Sequence, residues 1–175
     1  MTTDPSTSPD TIDQAVPLAP GDAVYAVRQQ RAKVVASTQG SYDSMFGPDV
    51  PGLSAAERLL VALHACRLSQ ADSLAAHYRG RLLAEGADAA LVQAVDAGAA
   101  TLPAPTRLPA ILAFTATLIT RPLEGDRAAI ASLAAAGLTT PAIVALGQLI
   151  AFLSYQIRVV AGLRAMALPT AEVAA

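Results

Sequence analysis

The chain has 175 residues, 53% hydrophobic, 15% charged and 4% aromatic, with a net charge of −2 and no Trp. One domain fits that length, and so apolar a composition excludes an intrinsically disordered chain. The absence of a basic stripe with interleaved aromatics argues against a nucleic-acid partner. A single cysteine excludes an intrachain disulfide framework and a cysteine-cluster metal site. Core filling must come from Ala, Leu, Val and Ile, and Ala is the best helix former. The expected fold class is therefore all-α.

Residues 1–20, rich in Thr, Ser, Pro and Asp, read as a disordered tail without the basic and apolar regions of a secretory signal. The domain is expected over 21–167, with a flexible tail over 168–175. Asp22 is placed to cap a helix over about 23–37, and 40–52, with Gly-Pro and Pro-Gly, reads as a loop. Ser54 and Glu57 have capping-box spacing ahead of Leu59, Leu60, Val61 and Leu63. Leu68 to Asp72 reads as a turn, giving helices over about 55–68 and 71–85, with Gly86 as the residue just past the second. Shorter helices follow over 88–97, 108–120 and 125–136, and residues 101–107 (TLPAPTR) read as a loop. Thr140 with Pro141 opens the longest helix, to about Met166. The total is about seven helices. The apolar window from Ala142 to Ile157 carries Gln148, Ser154, Tyr155 and Gln156 and falls short of the ~20 apolar residues of a membrane span. No membrane association is expected, and a lone thiol suits a cytoplasmic location.

The stretch from Ser54 to Tyr78 holds both histidines and the only cysteine. Cys66 is a candidate thiolate nucleophile or a small buried hydrophobe. On one straight helix it would lie about 16 Å from His77, so the two meet only if the turn folds the chain back. His77 is a candidate general base. Glu57 is a helix cap or, if it points inward, a proton-relay carboxylate. His64 sits among apolar neighbours, and without an i,i+4 partner for either histidine no zinc site is expected. Arg158, inside an apolar helix, calls for an acid such as Glu57 or Asp72 or for a bound anionic group, with Tyr155 and Gln156 lining the same region. Ser73 and Gln70 flank the turn. Arg28, Arg31 and Lys33 read as a solvated face. No nucleotide or flavin motif is present, so no cofactor is expected.

Three stretches resemble a known family. They are ERLLVALHACRLSQADSLAAHY, LPAILAFTATLITRP with the following AAGLTTPAIVALGQLIAF, and IAFLSYQIRVVAGL. Together they are similar to the AhpD-like, carboxymuconolactone decarboxylase (CMD) superfamily, in particular its peroxidase-related branch, over roughly residues 23–166. The resemblance implies an AhpD-like helical bundle that assembles as a homo-oligomer, a dimer, trimer or hexamer. Gln148 to Val160 and Leu59 to Leu63 would supply the contact surfaces. It also implies a hydroperoxide-reducing oxidoreductase with the pattern Glu-x11-Cys-x2-Cys-x3-His. Laid on His77, that pattern puts its cysteines at Gln70 and Ser73 and its glutamate at Arg58, so the cysteine pair is absent. Three functions follow. A one-cysteine peroxidase would use Cys66. An acid–base enzyme would use His77 with Glu57 on a small organic acid or lactone. A non-catalytic scaffold would bind a ligand or partner. His64, Ser73, Gln70, Arg158 and Tyr155 would surround such a site.

Overall fold

Ser54 sets the start of the central helix. Its hydroxyl accepts from the Glu57 amide at 3.2 Å, and the Glu57 carboxylate accepts from the Ser54 amide at 2.8 Å, so two otherwise unpaired donors are satisfied reciprocally. In the computed structural model, which describes residues 10–99, 102 and 107–168, nine α-helices follow one another with no strand among the described residues. They are α1 (Thr11–Ala15), α2 (Ala23–Gln29), α3 (Ala32–Phe46), α4 (Ala55–Leu68), α5 (Asp72–Ala84), α6 (Ala89–Asp96), α7 (Arg107–Thr120), α8 (Arg127–Ala135) and α9 (Thr140–Ala167). A 3-10 turn, Pro122–Glu124, links α7 to α8. The fold is all-α, as expected.

α4 is the hub and packs against α5, α6, α7 and α9. Leu59, Leu60, Val61, Ala62 and Leu63 are all buried within the subunit, so this run is not the contact surface expected of it. α9 is long and apolar enough, by length and composition, to cross a membrane, but half of its most apolar window is buried inside the fold. Leu146, Leu149, Leu153 and Ile157 form that buried side. Its cap is Thr139, one residue before the expected Thr140.

Several local expectations are corrected. Residues 10–20 belong to the fold: Asp10 caps α1, and Ile12 and Val16 enter the core. Residues 1–9 of the expected tail lie outside the described residues, as do 169–175 and most of the 101–107 loop. Arg28 is not solvated; it is clamped by Asp10 at 2.9 Å and Asp13 at 2.6 Å with 7% of its side chain exposed. Asp22 does not cap α2, because its carboxylate accepts from the Ala19 amide behind it. The expected 40–52 loop is helical as far as Phe46, since Gly40 costs a helix only about 1 kcal/mol. Arg58, buried at 3% exposure, reaches back to secure that helix end. It donates to the carbonyls of Met45 at 2.9 Å and Gly47 at 2.8 Å.

Candidate functional site

The α4–α5 turn is a left-handed helix stop built without glycine. The Gln70 amide donates to the Arg67 carbonyl and the Ala71 amide to the Cys66 carbonyl, a Schellman closure. Gln70 takes the left-handed position at φ +55°, which costs an ordinary residue about 1–2 kcal/mol. Arg67 pins the turn from outside. It pairs with Asp72 at 2.9 Å and Asp96 at 2.6 Å, and it holds the Asp96 carboxyl below its usual range. Asp72 lies in the first turn of α5, not at its cap. The turn thus folds α5 back along α4.

That fold-back does not deliver Cys66 to His77. Cys66 is fully buried and makes no hydrogen bond with the imidazole. Burial pushes its thiol up to about 12, against a small opposing pull from Arg67. At neutral pH it is a thiol, not the thiolate that attacks peroxides or disulfides. Beside it, Tyr78 is also buried, and its hydroxyl donates to Gln156 Oε1 of α9 at 2.6 Å.

His77 has a different environment. It is half-buried, and Nε2 lies 2.7 Å from the hydroxyl of Tyr42 on α3. Arg81 Nη1 donates to the same hydroxyl at 2.8 Å, and Arg81 Nη2 pairs with Glu85 at 2.8 Å. Because a guanidinium only donates, the Tyr42 oxygen accepts from it, and its second lone pair accepts from Nε2–H in the imidazole tautomer that leaves Nδ1 unprotonated. His77 and Arg81 on α5 and its C-cap residue Glu85 recur at i,i+4, so one face carries the network. Phe46 closes the group: its ring lies 5.0 Å from that of Tyr42, and the Arg81 guanidinium sits 5.4 Å from its centroid. Burial, and then the Arg81 charge, lower the pKa of His77 below 6.5. The imidazole is therefore neutral near pH 7 and able to take a proton.

The other expected residues are dispersed. Glu57 combines its capping role with an ion pair to Arg107 Nε at 2.8 Å and makes no contact with His77. Arg107 also donates to the Gly52 carbonyl. His64 is half-buried in a cleft of about 380 Å³ beside Val95, Leu112 and Ala116, and burial lowers its pKa. Ser73 accepts from Arg164 at 3.3 Å, and Gln70 is exposed. Arg158 is exposed and donates to the Ser154 carbonyl of its own helix, so neither Glu57 nor Asp72 is its partner. Tyr155 bonds Thr38 at 3.0 Å, while Gln156 faces inward to Tyr78. The three α9 residues therefore serve three regions, because 100° per residue separates them around the helix. The sequence reading missed Tyr42, Arg81 and Glu85. The i,i+4 run of the last two with His77 was a usable signal, but nothing local marked Tyr42.

No protein-family model matches the chain, and no curated protein matches it. Among solved structures, it is similar to an uncharacterised peroxidase-related protein from Silicibacter sp. TM1040. The TM-score is 0.72 at 14% identity, covering 89% of this chain and 92% of that one. The chain therefore has the helical fold of a peroxidase-related protein.

Proposed function

We propose that this chain is a peroxidase-related, CMD-type protein that works without thiol–disulfide chemistry, with His77 transferring a proton on a small organic acid or lactone. The observation that carries this reading is the neutral imidazole of His77, held at 2.7 Å by Tyr42 and backed by Arg81 and Glu85. A general base must be unprotonated at working pH and oriented, and this network supplies both conditions. The step is abstraction of a carbon-bound proton next to a carbonyl, with the proton held on the imidazole and returned to the same or a neighbouring carbon. The hydroperoxide-reducing alternative needs an accessible thiolate, and the burial of Cys66 disfavours it.

Two assays separate these functions. In D2O, a small carboxylated γ-lactone should exchange its α-proton with the wild-type protein, and His77→Gln should lower that rate at least ~100-fold, the low end of the usual contribution of a general base. Consumption of an alkyl hydroperoxide with dithiothreitol should stay at background for wild type and Cys66→Ser alike. Peroxide turnover that disappears with Cys66→Ser would overturn the proposal in favour of a one-cysteine peroxidase. Absence of both activities would overturn it in favour of a binding scaffold.

A further inference from the structure

His64 is the other histidine of the α4–α5 hairpin, and the proposed chemistry leaves it unused. It lies on α4, half-buried, in the wall of a cleft of about 380 Å³. α6 contributes Val95 to that cleft, and α7 contributes Pro109, Leu112, Ala113 and Ala116. Among the described residues that line it, His64 carries the only polar side chain, and none is an acid, a lysine or an arginine.

The imidazole has no partner. Its ring makes no hydrogen bond, ion pair or ring contact with a described residue. Polar groups withdrawn from water are as a rule hydrogen-bonded, and His77 on the next helix follows that rule with Tyr42 at 2.7 Å. The difference separates two roles. A ring held by a partner is oriented for proton transfer, whereas a ring without one keeps its hydrogen-bonding capacity for a ligand. Burial lowers the pKa of His64, so at pH 7 one ring nitrogen is an open acceptor. An apolar cleft of this size with one polar group directed at it has the make-up of a small-molecule site. An apolar cavity of ~150 Å³ already accepts benzene, so a substituted ring fits the larger volume here. No lysine or arginine among the described lining residues would balance an anion, and an unpaired charge is costly against apolar walls.

We propose that this cleft binds a small uncharged phenol, its ring between α6 and α7 and its hydroxyl donating to the unprotonated nitrogen of His64. The apolar walls take the ring, and the lone acceptor takes the O–H, which in a phenol is a stronger donor than in an alkyl alcohol. The site is independent of the chemistry at His77. Charge separates the two ligands, since the substrate proposed for His77 is an organic acid or lactone.

Histidine NMR and thermal melts of the full chain test this, with 4-methylphenol as the probe. The His64 Cε1 proton should shift saturably with a Kd of about 1 mM or tighter, and Tm should rise with probe concentration. His77→Gln should leave this Kd unchanged. His64→Leu, followed by the Tm shift, should weaken 4-methylphenol at least ~3-fold, the net worth of one hydrogen bond, while toluene binds as well as before or better. Ala116→Phe, which puts a ring into the cleft, should abolish binding of both. 4-Methylbenzoate should bind wild type at least ~10-fold more weakly than 4-methylphenol. Should Ala116→Phe prevent folding, the His64→Leu comparison carries the test. Four results would overturn the inference: no saturable shift at up to ~10 mM 4-methylphenol, equal losses for 4-methylphenol and toluene in His64→Leu, binding untouched by a folded Ala116→Phe, or tighter binding of 4-methylbenzoate. A Kd that weakens in His77→Gln as much as in His64→Leu would do the same.

Discussion

Cys66 and His77 lie on the two helices of one hairpin, yet their surroundings are opposites. Cys66 faces the hub of the core, where burial favours the uncharged thiol and no proton acceptor is hydrogen-bonded to it. His77 faces the rim, where a phenol, a guanidinium and a carboxylate are connected in sequence behind it. The comparison teaches that a reactive residue type is not a reactive group. Burial without partners silences a nucleophile, whereas partial burial with partners adjusts a base.

The largest expected effect sharpens the dry half of that comparison. Labelling of Cys66 by an aromatic disulfide in native buffer should be at least ~1,000-fold slower than in denaturant, because access requires opening of a core whose closed state is favoured by several kcal/mol. Rapid native labelling would erase the contrast. Next in size, Tyr78→Phe removes the hydroxyl that donates to Gln156 in the same region. It leaves a buried acceptor unpaired, so unfolding by urea should show a loss of about 1–3 kcal/mol.

The wet half responds to charge. Arg81→Gln removes a cation that lowers the His77 pKa, so the NMR titration midpoint of His77 should rise toward 6.5; an unchanged or lower midpoint would break the proposed wiring. Both histidines have folded-state values lowered from 6.5, chiefly by burial. Below pH 6.5 the unfolded chain binds protons before the folded one does. The stability linked to these groups is thus complete above about pH 6.5 and is lost as pH falls through their folded values. Thermal melts should show this slope, shallower in His77→Gln. The smallest effect concerns the turn between the two residues. Gln70→Gly should raise stability by about 1 kcal/mol by relieving the left-handed backbone, partly offset by the entropy of glycine.

Much of the fold was legible because its signals are local. The Ser54–Glu57 box fixes the start of α4, and the predicted span of 55–68 matches the helix. Gly86 sits just past α5 at φ +78°, in the conformation glycine adopts without strain. Where a local signal had two outcomes, the sequence reading failed. Gly40 and the polar residues after it suggested a loop, yet Tyr42 and Phe46 gain enough packing against α5 to extend α3 through them. Arg28 looked solvated because its acids, Asp10 and Asp13, lie in a stretch whose composition resembles a tail.

The site was legible in only one residue and one spacing. His77 could be singled out, and the i,i+4 run to Arg81 and Glu85 could have been read from α5 alone. Tyr42 could not, since it lies 35 positions from His77 and meets it only through packing of α3 on α5. By itself the sequence determined the helical class, the boundaries of α4, α7 and α9 to within a residue or two, and the absence of a cysteine pair. Caps, glycines and apolar periodicity act within four residues of one another, so a linear reading suffices for them. Only the tertiary structure decided that Cys66 is enclosed, that Glu57 belongs to Arg107 and that Arg158 has no acid among the described residues. It also left Val144, Tyr155 and Met166 of α9 exposed. Burial and partner choice arise from how helix faces meet, and a one-residue rotation of about 100° exchanges the inward and outward sides.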